Sequence, residues 1–160
     1  KKIDLIAKTF SDHFPDKTLF IAGNGPDKNK IKSYENKNIK LLGFLSEHEL
    51  LKYLGEAKAF IFAAYEDFGI VSVEAQAAGT PVIAYGRGGG AETVIGIDKP
   101  NPTGILFFEQ TSESIRDALV DFEHNIELFK KENIIKNANK FSKEKFKDNL
   151  SSFISSKLNH

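Results

Sequence analysis

The sequence predicts an α/β protein built on a Rossmann-like parallel sheet with helices on both faces. Three observations predict it. Short apolar runs recur at residues 18–22, 38–42, 59–64, 81–85 and 104–107, each of strand length. The stretches between them carry apolar residues at helical spacing. The runs at 59–64 and 81–85 are apolar at successive positions rather than alternating. That marks strands buried on both faces, as parallel strands are.

The elements follow in order. Residues 3–14 place Ile3, Ile6, Ala7, Phe10 and Phe14 on a helical period. The run Thr18-Leu19-Phe20-Ile21-Ala22 is a strand closed by the turn Gly23-Asn24-Gly25-Pro26. A polar helix over 27–34 and a strand over 38–42 come next. Ser46-Glu47-His48-Glu49 is a capping box: Ser46 caps the Glu49 amide and Glu49 reaches back. Its helix runs to about Leu54. Residues 59–64 form an apolar strand, and a helix reading as buried follows, Ile70-Val71-Ser72-Val73-Glu74-Ala75-Gln76-Ala77-Ala78-Gly79. The strand 81–85 leads into Gly86-Arg87-Gly88-Gly89-Gly90. A short helix near 91–95 and a strand over 104–107 follow. After Thr111 the chain reads as helical, with a break near Phe141-Ser142. The last helix carries an apolar stripe, Phe141, Phe146, Leu150, Phe153 and Ile154, which must pack on something.

Composition excludes several classes. At 160 residues the chain is one domain of ordinary size. Formal charge balances to zero, leaving no electrostatic footprint for nucleic acid. The absence of cysteine rules out disulfides, thiol catalysis and thiolate metal sites. No window approaches a membrane span and no signal peptide is visible. His13, His48, His124 and His160 are scattered without ligand spacing and read as surface residues. With no methionine and a start at Lys1-Lys2-Ile3, the chain reads as a domain cut from something longer.

Ligands of parallel α/β sheets bind beyond the carboxyl ends of the strands. The loops there hold Gly23–Pro26, Gly43–Ser46, Ala64–Gly69 and Gly86–Gly90, all on one edge. Phe68-Gly69-Ile70-Val71 opens a helix at that edge, where free amides and the positive dipole end suit an anion. Gly69 would let a ligand approach the backbone closely; a helix start with a packing glycine is the plainer alternative. Glu66 and Glu74 bracket this start with seven residues between them. Glutamate is rarely buried without a partner, so Glu74 in a buried helix should face a donor. Paired carboxylates suit acid–base work, a metal, or vicinal hydroxyls of a sugar. No histidine shares their spacing, which makes metal the weakest option. The plainer alternative is a solvated Glu66 with Glu74 capped by an amide. The glycines at 86–90 would let a backbone wrap closely around a substrate, or form a flexible loop. Gly23 and Gly25 form a tight turn or a ligand contact. Lys1 is either solvated or placed to neutralise a leaving diphosphate.

The motif Glu66-Asp-Phe-Gly-Ile-Val-Ser-Val-Glu74-Ala-Gln-Ala-Ala-Gly-Thr-Pro-Val-Ile-Ala closely resembles that of retaining GT-B glycosyltransferases of the family-4, or glycosyl transferases group 1, type. Gly23-Asn24-Gly25-Pro26, Leu42-Gly43-Phe44-Leu45-Ser46, Gly89-Gly90-Ala91-Glu92 and Thr103-Gly104-Ile105-Leu106-Phe107 support it. The resemblance covers the whole chain and implies the C-terminal, donor-binding half of a GT-B fold. The N-terminal acceptor domain would lie outside these residues.

The resemblance implies that Glu66 contacts donor-sugar hydroxyls and that Glu74 holds the ribose. It implies that the amides of Gly69, Ile70 and Val71 cradle phosphate and sugar, with Gly23 and Gly25 also at the donor. Leu45 and Glu47 fall where the family contacts the base. Lys1 aligns with the family's diphosphate lysine, in Lys1-Lys2-Ile3-Asp4-Leu5; its partner arginine would come earlier than residue 1. The implied reaction needs no cofactor and no metal. The wording is closest to bacterial polysaccharide mannosyltransferases of the O-antigen type, which implies GDP-mannose as donor, with a UDP-sugar as the alternative. A glycan or lipid-linked acceptor, a cytoplasmic setting and peripheral association at the inner face of the cytoplasmic membrane are further implications. A non-catalytic nucleotide-sugar-binding domain is the competing reading. GT-B epimerases lack the Glu-x7-Glu phrase, and a phosphorylase would show a pyridoxal-phosphate lysine motif that is not found.

Overall fold

The structure is a computed structural model and describes residues 1–158. His160 therefore lies outside the described residues; His13, His48 and His124 are exposed. Helices and strands alternate as far as the fifth strand, and three helices close the described chain: α1 (Ile3–His13), β1 (Leu19–Ala22), α2 (Lys28–Lys32), β2 (Ile39–Gly43), α3 (Glu47–Glu56), β3 (Phe60–Phe62), α4 (Ile70–Ala77), β4 (Val82–Tyr85), α5 (Gly89–Thr93), β5 (Gly104–Phe107), α6 (Ser112–His124), α7 (Lys131–Ala138) and α8 (Lys143–Leu158).

Every strand pairing among the described residues is parallel. The single expected sheet is divided, however. β1 pairs with β2, and β3-β4-β5 form a second ladder. β3 is shorter than its apolar run because Ala63 and Ala64 leave the ladder; the Ala63 carbonyl accepts instead from Gln110 Nε2 at 2.7 Å. A common core joins the two pieces.

That core explains the apolar strands. In β4, Val82, Ile83 and Ala84 are all buried. Successive side chains of a strand point to opposite faces, and here each face has its own cluster. Ile83, Ile105 and Phe107 pack with Ile6 and Phe10 of α1, Ile115 and Leu119 of α6, and Leu19 and Ile39 of the first sheet. Val82 and Ala84 pack with Phe62, Leu54 of α3, Ala75 of α4 and Val94. Burying one side chain such as Ile83 contributes about 1.5–3 kcal/mol. Hydroxyls tie the layers too: Thr9 and Ser112 meet at 3.0 Å between α1 and α6, and Thr80 Oγ1 donates to the Leu54 carbonyl.

The capping box forms as expected. The Glu49 amide donates to Ser46 Oγ at 3.3 Å, and the Ser46 amide donates to Glu49 Oε2 at 2.8 Å. The Ser46 hydroxyl and amide hold the Glu49 carboxyl below its ordinary value. A depressed pKa stabilises the fold above the unfolded-state value and loses that contribution as pH falls through the folded-state value. Ser46→Ala is expected to cost about 1 kcal/mol at neutral pH. The cost should shrink below the ordinary carboxylate range; urea unfolding at both pH values checks it.

Some boundaries move. The short helix predicted near 91–95 starts earlier, at Gly89. The chain after Thr111 breaks at a 3-10 turn over Ile126–Leu128 as well as at the expected one, Asn139–Phe141. Phe146, Leu150, Phe153 and Ile154 of the last helix are exposed rather than packed. Phe141 is half-buried, its ring 5.6 Å from that of Phe68. No described helix is long and apolar enough to cross a membrane.

Candidate functional site

The site is built where β3 gives way to α4. Gly69 caps α4 with φ 73°, a left-handed conformation that L side chains rarely adopt. A Cβ there would also lie 2.5 Å from the Phe62 ring. The left-handed backbone and the Phe62 ring beneath are each reason enough for a glycine at 69. The corner opens α4. The amides of Gly69, Ile70 and Val71 donate to no backbone carbonyl outside the helix among the described residues. A helix start also leaves such amides without intrahelical partners. Ile70 is exposed and no acid occupies the first turn. The positive end of the helix is therefore open to an anion.

Glu66, half-buried, stands in the loop that precedes this corner. Lys1 reaches it from the start of the chain, with Nζ 3.6 Å from Glu66 Oε1. The two residues are remote in sequence, and α1 brings them together. An exposed ion pair of this kind contributes little to stability. What it does is set a cation beside a carboxylate next to the open start of α4.

Two of the glycines of 86–90 are required by packing against the chain itself. Gly88 has φ 61°, and a Cβ on it would sit 2.6 Å from the Glu66 carbonyl. A Cβ on Gly89 would sit 2.1 Å from the Phe68 carbonyl oxygen. The Gly89 amide donates to the Glu66 carbonyl at 2.7 Å. The turn wraps the Glu66–Phe68 backbone, so it fixes the carboxylate loop by main-chain contact.

Glu74 is half-buried, not buried. The helix is less enclosed than its sequence suggests, because one side of its first turn, at Ile70, faces outward. The fully buried polar residues of α4 are Ser72 and Gln76, two positions to either side. Gln76 Nε2 donates to the carbonyls of Ser72 (3.2 Å) and Thr93 (3.0 Å), and its Oε1 accepts from Asn137 Nδ2 at 2.8 Å. Asn137 Nδ2 also donates to the Thr93 carbonyl at 2.8 Å. Ser72 Oγ reaches the Gly69 carbonyl at 2.9 Å and Thr93 Oγ1 at 3.0 Å. Thr93 Oγ1 donates to the Gly89 carbonyl at 2.6 Å. Sequence reasoning passed over this network. Its signal was present: Ser72 and Gln76 are spaced i, i+4 in a run of small apolar residues.

The remaining expected residues lie at neighbouring loops. Gly23 and Gly25 are exposed just past β1, with Gly23 at φ 102° and its amide donating to the Gly43 carbonyl at 2.6 Å. A Cβ on Gly25 would meet nothing within 4 Å, so packing does not require a glycine there. Leu45 is half-buried and Glu47 exposed at the start of α3. Among the described residues no three His, Cys, Asp or Glu side chains gather as metal ligands would.

A parallel α/β domain with an open helix start, a carboxylate on either side of it and a lysine at hand has the arrangement that suits a phosphate group. The chain belongs to the glycosyl transferases group 1 family, which it matches over residues 1–141. It is 38% identical over 87 residues to the glycogen synthase of Mycobacterium tuberculosis, covering 51% of this chain and 21% of that enzyme. It is 36% identical over 91 residues to the GDP-mannose-dependent monoacylated alpha-(1-6)-phosphatidylinositol monomannoside mannosyltransferase of Corynebacterium glutamicum, covering 50% and 24%. These matches span about a fifth to a quarter of those relatives' length. The sucrose-phosphate synthase of Thermosynechococcus elongatus has the same fold, with TM-score 0.78 at 22% identity over 99% of this chain and 43% of that one.

Proposed function

We propose that this chain is the nucleotide-sugar-binding half of a retaining hexosyltransferase, with GDP-mannose as donor. The observation that carries the reading is Lys1 beside Glu66 at the open start of α4. The donor diphosphate sits against the amides of Gly69, Ile70 and Val71, with Lys1 neutralising charge as it leaves. Glu66 accepts hydrogen bonds from hydroxyls of the transferred sugar, and Glu74 from the ribose. Leu45 and Glu47 lie at the base, and Gly23 and Gly25 border the donor. The acceptor hydroxyl oxygen attacks the anomeric carbon from the face the diphosphate leaves. As the carbon–oxygen bond to phosphate breaks, a phosphate oxygen takes the acceptor proton. No metal or further cofactor enters this scheme. The acceptor, a glycan or a lipid-linked saccharide in surface polysaccharide synthesis, is held by an N-terminal domain outside these 160 residues. The work is done in the cytoplasm, at the inner face of the membrane.

Support for the mannose assignment comes from the wording of the motifs and from the named donor of the Corynebacterium glutamicum relative. A thermal-shift panel of GDP-mannose, UDP-glucose, UDP-GlcNAc, GDP and UDP tests it. At a hundredfold excess over Kd a ligand stabilises by about 2.7 kcal/mol, or roughly 5–10 °C for a domain of this size. GDP-mannose and GDP should give that shift. A larger shift with the UDP compounds replaces the donor, and none with any compound removes the donor-binding reading altogether.

A further inference from the structure

In the network beneath α4, the Thr93 hydroxyl touches both walls of the site. Thr93 closes α5 and is fully buried. Its hydroxyl meets the Gly89 carbonyl at 2.6 Å and the Ser72 hydroxyl at 3.0 Å, and Ser72 Oγ in turn meets the Gly69 carbonyl at 2.9 Å. These three contacts share two hydroxyl protons, so two are made at a time, and the bridge from α5 to α4 is bonded when the Thr93–Ser72 contact is one of them. Its ends are the two glycine corners. Gly69 opens the helix whose first amides have no backbone partner outside it among the described residues, and Gly89 donates to the Glu66 carbonyl at 2.7 Å. Behind the bridge, the Thr93 carbonyl accepts from both Gln76 and Asn137, at 3.0 and 2.8 Å, which ties it to α7. No buried side-chain nitrogen or oxygen in the described structure lacks a partner. Fully satisfied networks of this kind hold one geometry.

We propose that Thr93 is a positioning residue, its hydroxyl fixing the α4 start against the Glu66 loop so that both face one diphosphate. The inference rests on the donor-binding reading above. Thr93 touches no ligand itself. It acts by holding the amide cradle and the Lys1–Glu66 pair at a fixed separation. A diphosphate engages both walls, whereas a monophosphate need engage only one.

The test compares Thr93→Val, which keeps the shape and removes the hydroxyl, with Thr93→Ser, which keeps the hydroxyl. Calorimetric titration with GDP, GMP, UDP and UMP gives the diphosphate-to-monophosphate affinity ratio for the preferred base. T93V should lower that ratio by about tenfold, the equivalent of one lost charge-assisted hydrogen bond, while T93S keeps it within threefold. A purely structural role would lower the melting temperature and leave the ratio unchanged, and that result overturns the proposal. If T93V fails to hold its fold by circular dichroism, Asn137→Ser carries the test. It removes the support behind the Thr93 carbonyl and should lower the same ratio; an unchanged ratio again overturns it. Wild-type chain that binds none of the four nucleotides overturns the donor reading, and this inference with it. Wild-type binding with an unchanged ratio in the variants overturns this inference alone.

Discussion

Gly89→Ala should destabilise the domain by about 3 kcal/mol, or roughly 10 °C in melting temperature. The added Cβ would meet the Phe68 carbonyl oxygen at 2.1 Å, its carbonyl carbon at 2.2 Å and its Cα at 2.5 Å. All three are backbone atoms, so no rotamer change relieves the overlap. Either the α5 turn or the Glu66–Phe68 loop must shift. Both are fixed elsewhere. The loop ends at the Gly69 corner over the Phe62 ring, and the turn is held by Thr93. The shift therefore strains the hydrogen bond from the Gly89 amide to the Glu66 carbonyl and carries Glu66 away from Lys1. Nucleotide binding should weaken along with stability. Gly25→Ala is the matched control: its Cβ would have open space and its φ is not left-handed, so the fold should be unaffected. Urea unfolding of both variants checks the contrast. A G89A chain as stable as the parent would mean that the two loops do not interlock.

Much of this architecture was legible in the sequence because local signals agreed with the global fold. The run of Val82, Ile83 and Ala84 announced a strand covered on both faces, and each face proved to have its own cluster. Ser46 and Glu49 announced a helix start through a pattern whose physics is wholly local. What could not be read depends on which residues lie opposite one another. Glu74 looked buried because its neighbours are apolar, yet exposure is decided by what packs on the helix. Helix α7 lies against α4 and supplies Asn137 to Gln76, which is why Gln76 is enclosed and Glu74 is not. The glycines at 88–89 looked like room for a ligand because a glycine reports only that something comes close. The structure identifies that something as the Glu66–Phe68 backbone. Lys1 had no local signal at all; α1 is needed to place its ammonium group beside Glu66.

Glu66→Ala in the full-length enzyme is expected to lower the rate of sugar transfer about a hundredfold, with donor affinity falling less than tenfold. The split follows from where Glu66 stands. Most of the proposed donor contacts come from main chain, at the amides opening α4, and these are untouched by the substitution. Stability should change little as well, since the side chain's ion pair with Lys1 is solvent-exposed and the loop is held through the Glu66 carbonyl rather than its carboxylate. The loss falls on the transition state for two reasons. In the proposed reaction the carboxylate orients the sugar whose anomeric carbon reacts, and orientation acts on the rate more than on binding. It also holds Lys1 beside the cradle, where positive charge matters most as the diphosphate takes up the electrons of the breaking bond. Glu66→Gln separates the two effects: it can still accept a hydrogen bond from a sugar hydroxyl but no longer attracts the ammonium. Activity restored by glutamine assigns the role to the sugar hydroxyl, and activity still lost assigns it to Lys1. Lys1→Ala should then match E66Q in size, because both would leave the leaving group without its cation. Transfer rates within threefold of the parent for E66A and K1A would sink the catalytic reading and favour a nucleotide-sugar-binding domain that no longer does the chemistry.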